Sequence, residues 1–212
     1  MIRIMLLGDS ITAGVEFIDN RMTYDKGGYR THLWKKLSAL NIAFDFVGSQ
    51  TDGPSAIAQN HEGHPGWKTS QLIDNINAWY HAHVPDIILL MIGTNDIVAD
   101  QNADIAYNRL QTLVDILFKL NAKLSLIVAS IPPLEWSNSR NHLQPQVLSF
   151  NSRIPRLVKQ HKAKGHLAYF ADVCSAMEQA HLIGSHPSPS GYEKIAEVWF
   201  PVLRRVITDI LS

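Results

Sequence analysis

Five short apolar runs, set apart by longer amphipathic segments, limit this chain to very few folds. Residues 2–7, 43–47, 87–92, 124–129 and 167–170 are mostly apolar on successive positions, as strands covered on both faces must be. Between the third and fourth runs, Leu110, Leu113, Val114, Leu117 and Leu120 fall on one helical face. Further helical patterns cover about 29–40, 70–81, 146–161 and 190–210, and Pro201 is expected to kink or split the last. Strand and helix in regular alternation predict an α/β three-layer sandwich, with a five-stranded parallel sheet and helices on both faces. At 212 residues, without internal repeat or low-complexity linker, positions 1–212 read as one domain.

In flavodoxin-like strand order the first and third strands are neighbours, and ligands bind beyond the carboxyl ends of the strands. The chemistry should therefore lie in Gly8-Asp9-Ser10, Gly48-Ser49, Gly93-Thr94-Asn95-Asp96, Ser130-Ile131-Pro132-Pro133 and Asp172. Two long loops, 49–68 and 131–145, border the same edge. Ser10 would sit at the mouth of the sheet with its own N–H free for an oxyanion. The same residues also suit a polar turn, and Thr12 stands where a Gly-x-Ser-x-Gly nucleophile elbow has its second glycine. The Asn95 amide can donate to an oxyanion without carrying charge, or cap the next element in an Asx turn. His186, followed by Pro187 just ahead of the last helix, can fold back toward Ser10. With ten histidines in the chain, one alone says little.

Taken together and in order, these segments resemble the SGNH (GDSL-type) hydrolase superfamily along the whole chain. Leu7-Gly8-Asp9-Ser10-Ile11-Thr12, Gly27-Gly28-Tyr29-Arg30, Phe46-Val47-Gly48-Ser49-Gln50, His61-Glu62-Gly63-His64-Pro65-Gly66-Trp67 and Leu90-Met91-Ile92-Gly93-Thr94-Asn95-Asp96 resemble its carbohydrate esterase family three branch, the acetyl xylan esterase-like enzymes. The resemblance implies Ser10 as nucleophile, His186 as base, and an oxyanion hole made of the Ser10 N–H, the Asn95 amide and a glycine N–H, assigned to Gly66. It implies a serine esterase that removes acetyl or other short acyl groups from carbohydrate esters such as acetylated xylan, through an acyl-enzyme and without a cofactor. One position departs from the pattern. The family's Asp-x-x-His places an acid three residues before the base, and here that residue is Ile183. A backbone carbonyl within 182–185 is the first candidate to replace it, with Asp172 or Glu178 as third-member alternatives. Asp9 and Asp96 are expected to brace loops. Trp67 and Trp136, on the long loops, are substrate-loop candidates, Trp67 equally a loop anchor, whereas Trp34, Trp79 and Trp199 suit the core.

Other classes find less support. Lys plus Arg and Asp plus Glu balance at 19 each, which leaves no electrostatic footprint for nucleic acid or an anionic membrane. No run is apolar enough to span a bilayer. His61, His64, His81 and His83 invite a metal reading, but His61-Glu62-Gly63-His64 is one residue short of His-Glu-x-x-His, and Gly63 and Pro65 oppose the helix that motif needs. The expected partner is a small-molecule or polysaccharide ester, and no feature specifies an oligomeric state. The single cysteine, Cys174, fits a reducing compartment. The short apolar start, ending in Gly-Asp-Ser, is not read as a signal peptide. As the sequence stands the cytoplasm is expected, and secretion if a leader has been removed. The alternatives are a lysophospholipase or thioesterase of the same superfamily, and a non-catalytic carbohydrate-binding protein that lost its acid.

Overall fold

The structure, a computed structural model, describes residues 1–18, 21–134 and 139–212. The first half holds β1 (Ile2–Gly8), α1 (Ser10–Ala13), β2 (Glu16–Ile18), β3 (Arg21–Thr23), α2 (Gly28–Ser38), β4 (Phe44–Val47), β5 (Gln50–Thr51), β6 (Asn60–Gly63) and α3 (Thr69–His83). There follow β7 (Ile87–Met91), α4 (Thr94–Asp100), α5 (Ala103–Leu120), β8 (Ser125–Ala129), α6 (Gln144–Ala163) and β9 (Leu167–Ala171). The chain closes with α7 (Val173–Ala176), β10 (Leu182–Ile183), β11 (His186–Pro187) and α8 (Pro189–Leu211).

The five apolar runs form five parallel strands in the order β4-β1-β7-β8-β9, which is the flavodoxin-like order expected. β1, β7 and β8 are buried almost throughout, since each has a strand on both sides and helices above and below. Helix α2 packs against α8, while α3, α5 and α6 pack in succession as a second group. This division is what right-handed crossovers on the two sides of β1 produce.

The sheet is larger than its hydrophobic pattern. β4 pairs with β1 only from Ile2↔Phe44 to Met5↔Val47. The same edge of β1 is then continued by β6, through Leu7↔Glu62 and Gly8↔Gly63. β5 adds an antiparallel strand beyond β6. β5 and β6 lie inside the stretch read as a long loop, because Asn60-His61-Glu62-Gly63 carries no apolar signal. Its polar side chains are buried against partners that no local pattern reveals. Pro201 does not split α8, which continues through it to Leu211. Pro201 is exposed, so the carbonyl it leaves unpaired one turn earlier has access to water. Among the described residues no helix is long and apolar enough to cross a membrane.

Candidate active site

Strand β1 ends at Gly8 because nothing larger fits there. A Cβ on Gly8 would come within 2.3 Å of the Met91 carbonyl and 2.4 Å of Thr12 Oγ1. That close approach turns the chain sharply into α1, whose cap is Asp9, with its carboxylate accepting from the Ile11 N–H at 3.0 Å. Ser10 is the first residue of α1, half-buried beyond the carboxyl end of β1. Its N–H belongs to the first helical turn, where no intrahelical acceptor exists.

Asp9 is buried, and burial raises its pKa to about 7, helped by the charge of Asp96 and opposed by the Ile11 N–H. The folded protein therefore binds this proton more tightly than the unfolded chain does. Its favourable contribution is complete below the ordinary value of 3.8 and is lost as pH rises toward 7. Asp9→Asn keeps the oxygen that accepts from Ile11 and carries no charge. Its melting temperature is expected to gain on the wild type between pH 4 and pH 8, by an amount on the order of a few kcal/mol in unfolding free energy. An offset that does not change across that range would show that Asp9 does not ionise there.

The loop after β6 is built against Ser10. The His64 N–H donates to the Gly8 carbonyl at 3.0 Å, and the Trp67 N–H returns to the His64 carbonyl at 3.1 Å. Pro65 and Gly66, with φ of +79° at the glycine, supply the two central positions of that turn. The His64 ring packs against both Trp67 and Trp79, with centroids at 4.3 and 4.6 Å, and the two tryptophans also meet each other at 5.9 Å. Its Nε2 lies 2.8 Å from Oε2 of the buried Glu62, which also accepts from the Ser49 N–H and hydroxyl. Trp67 therefore serves this loop as an anchor. Asn95, in the first turn of α4, donates one amide N–H to the Trp67 carbonyl at 2.9 Å. The amide carries two N–H donors, so this bond fixes its plane and leaves the second available. Asp96 accepts from Thr69 at the start of α3 and from Arg109, which makes it a brace.

His186 arrives from the other end of the chain. Its Nε2 stands 2.9 Å from Ser10 Oγ, although 176 residues separate them. Burial, and after it the positive charge of Arg140, hold the imidazole below the usual histidine pKa. Position 183 is directly opposite His186 in the β10–β11 hairpin. Neither candidate acid is hydrogen-bonded to His186. Asp172 caps α7 and accepts from the Ser130 hydroxyl and the Ser175 N–H. Glu178 forms a capping box with His181. No carbonyl of 182–185 takes the role either, and among the described residues Nδ1 has no hydrogen-bond partner. Opposed side chains in an antiparallel pair have Cβ atoms about 4.5–5.5 Å apart, so a carboxylate at 183 can reach Nδ1. Ile183→Asp is expected to raise kcat by about tenfold or more, within the ~10⁴ that a triad acid contributes. An unchanged kcat would mean that Nδ1 is already served.

Of the four histidines weighed as metal ligands, His61 accepts from the Gly63 N–H through Nδ1 and has its Nε2 3.0 Å from Asp52, while His64 and His83 face Glu62 at 2.8 and 3.7 Å. Trp136 lies outside the described residues. Sequence reasoning missed two groups beside His186: Arg140, and Phe17 with its ring centroid 5.4 Å from that of His186. It also gave no role to Arg30, fully buried, whose guanidinium joins Ala13, Asp52 and Gln59 and so ties α2 to the end of α1. An arginine in an otherwise apolar helix face was the available signal.

Known proteins share this arrangement of chain. An acetyl esterase solved with an acetate ion is 28% identical, with 99% of this chain and 100% of that one covered at a TM-score of 0.85. A Clostridium thermocellum family 3 carbohydrate esterase is 33% identical, with 97% and 98% covered at a TM-score of 0.81. A multidomain esterase of Ruminococcus flavefaciens is 28% identical over 93% of this chain, and the chain spans 28% of that protein's length. The chain belongs to the GDSL-like lipase/acylhydrolase family, whose model matches residues 6–194, and within it stands with the family 3 carbohydrate esterases.

Proposed function

We propose that the protein is a serine esterase that removes acetyl groups from carbohydrate esters, acetylated xylan being the model substrate. The observation that carries this reading is the Ser10 Oγ–His186 Nε2 contact of 2.9 Å. Ser10 Oγ attacks the ester carbonyl carbon while its proton passes to His186 Nε2. The oxyanion is held by the Ser10 N–H, the Gly66 N–H and the free N–H of Asn95. The tetrahedral centre collapses, the bond to the alcohol oxygen breaks, and His186 returns the proton to that oxygen. Water then attacks the acetyl-Ser10 ester with His186 again as base, and acetate leaves. These residues carry out every step, and the substrate, a small or polymeric ester, is the partner the site requires.

A second reading, a hydrolase of longer acyl esters, draws on a cavity of about 550 Å³ beside the base, lined mostly by apolar groups such as Phe17, Trp34, Ile57, Ile183 and Pro187. Ser10, His186, Gly66 and Asn95 do not line that cavity, so it gives the second reading no direct support. A p-nitrophenyl ester series tests both. The expected kcat/KM is highest for acetate and falls from butyrate onward, and acetylated xylan releases acetate. A higher value for octanoate than for acetate would favour the second reading. No release from any ester would leave a carbohydrate-binding role.

A further inference from the structure

Accepting Ser10 and His186 as nucleophile and base, we propose that Phe17 is a positioning residue for this reaction: its ring, carried over the site by the β2–β3 hairpin, holds the His186 imidazole in line with Ser10. A triad acid does two things. It fixes the orientation of the ring through Nδ1, and it stabilises the imidazolium. Here the position that should supply it is Ile183, which is opposite His186 and offers no acceptor. The hydrogen bond at Nε2 is one point of attachment, and a ring held at one point can still turn about its side-chain torsions. The second restraint is steric. Phe17 meets the His186 ring edge-on, with an interplanar angle of 66° and centroids 5.4 Å apart. This is the favoured geometry for an aromatic pair, because the positive ring edge meets the negative face.

Phe17 also lines the apolar cavity, but the core does not hold it in place. It lies outside the hydrophobic core and is 44% exposed. β2 and β3 form a separate two-stranded hairpin, paired from Glu16↔Thr23 to Ile18↔Arg21. The residue just before Phe17 in that hairpin is buried, and the backbone leading into it is fixed by the Tyr192 hydroxyl, which donates to the Val15 carbonyl at 2.6 Å. The hairpin root is thus tied to α8, the same helix that follows His186, so ring and base share one support. An aromatic edge cannot accept the Nδ1 proton. Phe17 therefore replaces the orienting half of the acid's work and leaves the charge-stabilising half undone.

The test is a double-mutant cycle between Phe17→Ala and Ile183→Asp, read on p-nitrophenyl acetate with kcat and KM separated, with Phe17→Tyr as the conservative control. Phe17→Ala is expected to lower kcat about threefold to tenfold at nearly constant KM, the scale of one aromatic pair. Phe17→Tyr should retain kcat within about twofold. In the Ile183→Asp background a carboxylate holds Nδ1, and the same Phe17→Ala change should cost less than twofold. Thermal unfolding of each variant separates these effects from loss of the fold. An unaltered kcat in Phe17→Ala, or an equal loss in both backgrounds, overturns the proposal. Failure of the esterase reading looks different, because then the wild type itself would show no turnover that depends on Ser10.

Discussion

Ser10→Ala will lower kcat on p-nitrophenyl acetate by at least roughly a thousandfold, because nucleophile and base act as a unit and neither works without the other. The geometry makes this a sharp test. Ser10 Oγ is the group that His186 Nε2 contacts, and that contact closes the site. Alanine removes the attacking oxygen and leaves the turn intact, since that turn is formed by Gly8 packing on Met91 and by the Asp9 cap. The variant should therefore fold with a melting temperature near that of the wild type. It should also show no acyl-enzyme burst in the first turnover. Residual activity above the uncatalysed rate is expected from the oxyanion donors, which remain. Turnover near the wild-type rate, with the substitution verified, would mean that water or another nucleophile attacks the ester.

Asn95→Ala is expected to cost about 10²–10³ in kcat, or roughly 3–4 kcal/mol of transition-state stabilisation. The alternative for this residue is an Asx turn capping the next element. The structure gives its side chain a different target, the Trp67 carbonyl, which belongs to the loop anchored through His64 and Glu62. An amide fixed in that way is preorganised, and its second N–H needs no rearrangement as negative charge develops on the substrate oxygen. The effect belongs in kcat, since the donor acts on the oxyanion more than on the ground-state carbonyl. A change confined to KM would make Asn95 a binding residue. A fall in melting temperature of several degrees with proportionate loss of active protein would make it a loop brace.

The sheet and the order of its strands are legible in the sequence because each central strand is apolar on both faces, and covering both faces with helices leaves few arrangements. Ser10 and Asn95 are legible for a related reason. Each follows a strand that ends at the same edge, and in a parallel sheet that edge collects whatever comes next. His186 is legible only as part of an ordered set of motifs. Nothing local distinguishes it from nine other histidines. Strand β6 is invisible to periodicity because its burial is polar, resting on Asp52, Ser49 and His64 rather than on a continuous apolar face, and β5 is two residues long and not buried. The environment of Nδ1 is the clearest limit. The sequence shows that Ile183 cannot accept a proton, and the nearest carboxylates along the chain, Asp172 and Glu178, are candidates only by proximity in sequence. In the fold both are occupied at their own helix caps, and the ring beside the base comes from Phe17, far away at the other end of the chain. Local pattern determines which faces are buried and where each strand ends. Which side chains meet across that edge depends on hairpins and loops whose contacts span nearly the whole chain, and only the tertiary structure brings those partners within bonding distance.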